Sequence, residues 1–224
     1  MKGGRKPAAG RPRAKAGGDP SPVEANRREG LIRATGRLFR EKGFDATTVR
    51  DIADAAGMRS GSPFYHFRSK QEMLKAVMLE GLRDAQARLE EAASRRLAPR
   101  LRFRAMVRVH LDAILGPGAD FVPVLLYDWR SLPRGMRAEV ARARSRYEAV
   151  WDAHLKELKR AGLVRHDDSL TRLFILGALN WIVQWYRPDG ACSVDSIARR
   201  LESFVLGPAG STTRRKAEGR ILLE

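Results

Sequence analysis

The sequence predicts an all-α protein of about nine helices, and three observations carry that prediction. Apolar residues recur with a 3.6-residue period along most of the chain. No alternating apolar and polar run is long enough for a useful strand. Ser or Thr followed three positions later by an acidic residue repeatedly opens an apolar-periodic stretch, and Gly or Pro closes it.

The first helix is expected over 22–42, with Leu31, Thr35, Leu38 and Phe39 facing inward and Gly43 in the stopping position. Gly36 within it costs about 1 kcal/mol relative to Ala, which tertiary packing or a close approach must offset. Thr48 with Asp51 forms a capping-box start, and Val49, Ile52, Ala53 and Ala56 follow at i, i+3, i+4 and i+7 before Gly57 ends the helix. A second short helix begins near Ser60 or Ser62, where Pro63 is tolerated because first-turn amides have no helical partner. It ends near Phe67.

Ser69 and Glu72 repeat the box and open a long helix towards Arg96, ended by Pro99. Further helices are expected at 100–115, stopped by Gly-Pro-Gly, then at 121–132, at 134–161 with Gly162 beyond, at 168–187, and from Ser193 to Gly207. Residues 1–22 and 208–224 have almost nothing to bury and are expected to be disordered.

Composition narrows the function. The chain has 224 residues, 43% hydrophobic content and a formal charge of +17, an excess that attracts polyanions or acidic surfaces. Sixteen basic against seven acidic residues fall in the first 70 positions, and 27 against 19 in the remainder, so the positive density lies at the front. The one cysteine, Cys192, rules out an internal disulfide framework and fits a reducing cytoplasm. No apolar run approaches the roughly 20 residues that span a bilayer, and the basic amino terminus has no apolar segment like that of a signal peptide. Four dispersed histidines, with no nucleophile in a recognisable setting and no phosphate-binding glycine loop, argue against an enzyme, and neither cofactor nor metal is expected.

A short helix, a glycine-containing turn and a second short helix describe a helix-turn-helix, whose second member enters a DNA major groove. Phe64 and Phe67, three apart, suit its inner face, while Ser60, Ser62, Tyr65 and His66 can point outward. Arg59 and Arg68 flank it near the path of the DNA backbone. Lys70 brings a charge to the free first-turn amides of the next helix, a setting that favours a phosphate.

The span from Arg28 to Val77, above all GFDATTVRDIADAAGMRSGSPFYHFRSKQEML, resembles the DNA-binding domain of the TetR family of transcriptional regulators. The resemblance implies a recognition helix from about Ser60 to Phe67, with Tyr65, His66 and Lys70 towards phosphates, Ser62 close to bases and Thr48 touching the backbone from its cap. Pro63 stands where the family usually has Leu or Ile, and Phe64 where it usually has Tyr, so a phenol often used on phosphate is missing there. The organisation expected is a basic arm at 1–22, a DNA-binding head at 23–70, a ligand-binding and dimerising part at 71–207, and a tail at 208–224. In the arm, Gly10-Arg11-Pro12-Arg13 resembles the core of an AT-hook, in which Arg11 and Arg13 would lie in an A·T-rich minor groove; an unspecific basic tail is the alternative.

The second half is richer in aromatic and branched aliphatic residues on long helices. Most of these form core, and Trp129, Trp151, His154 and Trp181 are the candidates to wall a mostly apolar ligand. LFILGALNWIVQWYRPDG resembles the penultimate helix of TetR-family proteins, which pairs with its copy in a second subunit. That likeness implies a homodimer, with Gly177 and Ala178 allowing close approach and Asn180 or Gln184 bonding across the interface. ALNW with WYRPDG also looks like regulators that answer to acyl-CoA thioesters. The function expected is a ligand-responsive repressor on double-stranded DNA, the alternative being an architectural DNA binder without an effector.

Overall fold

The computed structural model describes residues 22–116 and 119–208, and the Arg11 and Arg13 arm lies outside them. Among the described residues there are nine α-helices and no strand. They are α1 (Pro22–Lys42), α2 (Val49–Ala55), α3 (Pro63–His66), α4 (Lys70–Ser94), α5 (Pro99–Leu115), α6 (Phe121–Asp128), α7 (Arg134–Arg160), α8 (Ser169–Trp185) and α9 (Val194–Leu206). A 3₁₀ turn at Trp129–Ser131 follows α6. No described helix is long and apolar enough to cross a membrane.

The helix limits follow local chemistry. Thr48 caps α2 reciprocally with Asp51: the Asp51 amide donates to Thr48 Oγ1 at 3.1 Å and the Thr48 amide to Asp51 Oδ2 at 2.9 Å. Those bonds hold the Asp51 carboxyl below the ordinary carboxylate range. Gly57, with φ of 65°, takes a left-handed turn that a side chain would strain, and so redirects the chain from α2 towards α3. Ser69, Asp168 and Ser193 cap α4, α8 and α9 by accepting from the amide three positions on, without the reciprocal bond.

The long helix α4 is the axis of the molecule. Met73, Leu74, Val77 and Met78 lie under the head, while Leu82, Ala85 and Leu89 run on into the bundle against α5 and α7. One hydrophobic cluster therefore reaches from Leu31 in α1 to Leu206 in α9. Head and bundle are joined by core, not by a linker.

A second junction lies at α6. A Cβ on Gly81 would stand 2.2 Å from Phe121 Cβ, and one on Gly36 would stand 3.0 Å from the Phe121 ring. The two glycines thus form a notch in α4 and α1 that receives Phe121, which accounts for a glycine inside α1. Arg40 of α1 adds hydrogen bonds to Ala119 O and Asp120 Oδ1, at 3.3 and 3.0 Å. At the opposite end, Glu202 of α9 is buried between Arg100 and Arg104 of α5, and Arg100 also caps the Leu206 and Gly207 carbonyls. Burial pushes the Glu202 carboxyl up, but the two guanidinium groups outweigh it and hold it below its ordinary value.

Candidate nucleic-acid interface

Helix α3 has only four residues, so its orientation depends on two anchors. Pro63 and Phe67, four apart, are buried against the head, and Arg28 lies 5.0 Å over the Phe67 ring. This corrects the expectation for Phe64, which is 53% exposed: in so short a helix the i, i+4 pair faces inward and position 64 is turned out. The helix also starts later than expected, with Ser60, Gly61 and Ser62 in a turn ahead of it.

Tyr65 is 89% exposed and forms the apex of the head. Around it, Ser60, Arg59 and Arg68 are exposed and His66 and Ser62 are half-buried. Thr48 is exposed at the capped start of α2. The Arg68 amide donates to Glu72 Oε2 at 2.7 Å, which fixes the chain between α3 and α4 and leaves the Arg68 guanidinium without an ion pair among the described residues. The expected contacts Thr48, Arg59, Ser60, Tyr65 and Arg68 are thus exposed, and Ser62 and His66 half-buried, on the segment from the start of α2 to the start of α4. Arg50, exposed on α2, was missed by sequence reasoning, although a basic residue two positions after a cap is a readable sign.

Lys70 requires correction. Its ammonium donates to Phe44 O at 2.8 Å and Thr47 O at 2.9 Å and sits 4.2 Å from the centre of the Phe44 ring. Two of its three N–H donors are thus spent on the α1–α2 loop. Lys70 holds that loop against α4 and is not a free phosphate anchor.

The residues expected to wall a ligand do not meet. Trp151 is buried in the core, edge-on to Phe103 and His110, and its indole N–H lacks a hydrogen-bond partner. His154 is buried with Nδ1 on Glu157 Oε2 and Nε2 on Pro99 O, each at 3.2 Å, and burial lowers its pKa. Trp129 lies under Arg137, 5.5 Å away, and Trp181 is 66% exposed on α8. Aromatic identity alone did not distinguish core, cavity and outer face.

A cavity of about 70 Å³ lies between α4, α5, α6, α7 and α8. Its walls are mostly apolar, as at Leu82, Ile114, Val122, Leu125 and Leu176, with His110, Tyr147 and Asn180 as one polar group and Arg144 and Glu148 as another. His110 Nδ1 is 2.7 Å from the Tyr147 hydroxyl, and His110 Nε2 is 3.1 Å from Asn180 Oδ1. With Asn180 Oδ1 as acceptor, Nε2–H donates to it and Nδ1 accepts from the Tyr147 O–H. Burial pushes the His110 pKa down to about 4 and raises that of Tyr147, so both are neutral at pH 7.

Asn180, expected at the interface, has its Oδ1 on His110 of its own chain. Gln184 is exposed and donates to the Tyr127 hydroxyl. Gly177 and Ala178 are exposed on the outer face of α8. The same face carries Leu170, Phe174, Trp181 and Trp185, and Phe204 of α9 is 86% exposed.

Comparison with known proteins accords with this architecture. Residues 31–77 match bacterial regulatory proteins of the tetR family, and residues 96–208 match the tetracyclin repressor-like C-terminal domain. The HTH-type transcriptional repressor KstR2 of Rhodococcus jostii (strain RHA1) is 32% identical over 193 residues, which is 84% of this chain and 93% of that protein. The structure of the ketosteroid transcriptional regulator KstR2 of Mycobacterium tuberculosis superposes with a TM-score of 0.68 at 28% identity, covering 81% of this chain and 93% of that one. The crystal structure of the superantigen PfiT gives a TM-score of 0.71 at 39% identity, covering 80% and 96%. With head and bundle each matched separately and one repressor aligned along nearly its whole length, the chain belongs to the TetR family of bacterial regulatory proteins.

Proposed function

We propose that the protein is a transcriptional repressor that binds a near-palindromic operator as a homodimer, with an affinity that responds to a small apolar or acyl-CoA-type effector. The observation that supports it most is the presentation of Tyr65: a side chain 89% exposed on a helix pinned by Pro63 and Phe67, amid unpaired cations and hydroxyls. A ring held out at that exposure costs apolar hydration in the free protein, and a groove edge removes it. Ser60 and Ser62 are assigned to bases, and Thr48, Arg59, Tyr65, His66 and Arg68 to phosphates. Arg11 and Arg13, outside the described residues, add positive charge that raises affinity, as a basic tail or in an A·T-rich minor groove.

A second copy is the partner that suits the outer face of α8 and α9. Phe174, Trp181, Trp185 and Phe204 form an apolar surface that a soluble monomer rarely exposes, and Gly177 and Ala178 let a helix approach closely there. The effector enters the cavity beside His110, Tyr147 and Asn180, in place of the tryptophan-lined site expected from sequence. The repressor relatives support the direction of control.

Selection of bound duplexes from a random pool tests this reading. A two-fold symmetric consensus with half-sites about one turn, 34–36 Å, apart is expected. An architectural binder returns no consensus, and that result overturns the proposal.

A further inference from the structure

The size and the polar equipment of the cavity restrict what it can hold. A water-sized group takes roughly 10–15 Å³ on this measure, so about 70 Å³ admits roughly five to seven non-hydrogen atoms. Arg144 lines the cavity with a side chain that is 53% exposed, so a larger carrier can remain outside there. Inside, the hydrogen-bond chain runs one way, from the Tyr147 hydroxyl through His110 to Asn180 Oδ1. This leaves the Asn180 amide nitrogen as a donor with no intrachain partner, at the end of a chain of neutral groups.

We infer that the cavity takes a short uncharged acyl group of about five to seven non-hydrogen atoms, and that Asn180 Nδ2 donates to its carbonyl oxygen. The inference rests on the reading of this cavity as the effector site. An uncharged carbonyl matches a single neutral donor, whereas a carboxylate would meet Glu148 as well as Arg144 in the wall, where the two are already paired with each other. A long acyl chain or a polycyclic nucleus exceeds the volume and would have to displace α6, whose Phe121 is keyed into α1 and α4.

The test is calorimetric titration of the full-length protein with three probes: isovaleryl-CoA, the S-isopentyl-CoA thioether that lacks the carbonyl oxygen, and decanoyl-CoA. Wild type should bind the thioester at least tenfold more tightly than the thioether and tenfold more tightly than decanoyl-CoA. Asn180→Asp keeps the acceptor for His110 Nε2 but removes the donor, and should bring the thioester and thioether within twofold of each other. Asn180→Leu should do the same, and the aspartate variant guards against a loss caused by misfolding. If wild type does not distinguish thioester from thioether, or if Asn180→Asp retains the preference, the assignment of Asn180 falls while the effector site stands. Preference for decanoyl-CoA removes the size limit. If no thioester binds, the reading of the cavity as an effector site falls and takes this inference with it.

Discussion

His110 should make stability depend on pH between about 4 and 6.5. Its pKa is about 6.5 in an unfolded chain and is pushed down to about 4 by burial in the fold. Between those values the unfolded chain binds a proton that the native protein refuses, so stability rises with pH across the window. The contribution is complete above about 6.5 and is lost as pH falls towards 4. The full effect is about 3 kcal/mol, most of which should be gone at pH 4.5. His154, also lowered by burial, adds to the slope with the same sign, and Glu202 acts only below its ordinary 4.5. The clean measurement is therefore a difference: urea unfolding of wild type and His110→Gln from pH 7.5 to 4.5, at one protein concentration because assembly shifts apparent stability. The gap between the two should change by most of that amount, in disfavour of wild type, as pH falls. A gap constant within about 0.5 kcal/mol would show that His110 is not held neutral by its surroundings.

Other variants probe other parts of the structure. Gly81→Ala should cost about 1–3 kcal/mol, because the Phe121 Cβ it meets belongs almost to the backbone and α6 must move; an unchanged melting temperature would deny the tight junction. Lys70→Ala should destabilise the head by about 1–3 kcal/mol by orphaning the Phe44 and Thr47 carbonyls, yet lower the salt slope of DNA binding by much less than Arg59→Ala, which should lower it by about 1. Equal slope changes for the two would restore Lys70 as a phosphate contact. Trp181→Glu should convert a dimer to monomer in sedimentation without harming the core, since the side chain is 66% exposed; a persistent dimer would place the interface elsewhere.

Much of the fold was readable because it is written in local signals. The start of α2 at Thr48, the start of α4 at Ser69 and the end of α1 at Gly43 each follow from one cap or one left-handed glycine. Where the signal is not local, reading failed. Four residues of α3 are too few to show a period, so the aromatic Phe64 was given the inner place that Pro63 holds. Lys70 serves two loop carbonyls 26 and 23 positions earlier, and a backbone carbonyl leaves no mark in a sequence.

Helix α8 shows the deeper ambiguity. Ile175, Leu176, Leu179 and Ile182 are buried in the chain's own core, while Phe174 and Trp181 face out. Being apolar all round, the helix has no face that periodicity can assign. The cavity did leave one usable clue: His110 falls in register on the buried stripe of Phe103, Met106, Val107, Leu111 and Ile114, and a titratable group there must find a polar partner.

The central claim, that the surface around Tyr65 reads duplex DNA by sequence, is tested most directly by one ratio: affinity for the selected symmetric duplex over affinity for a scrambled duplex of equal length, in the same salt. A ratio of about 10³ or more is expected for wild type, falling for Ser62→Ala, whereas Tyr65→Ala should weaken binding to both duplexes alike and leave the melting temperature unchanged. A wild-type ratio near one, or a Tyr65→Ala variant that binds both duplexes as tightly as wild type, would contradict it.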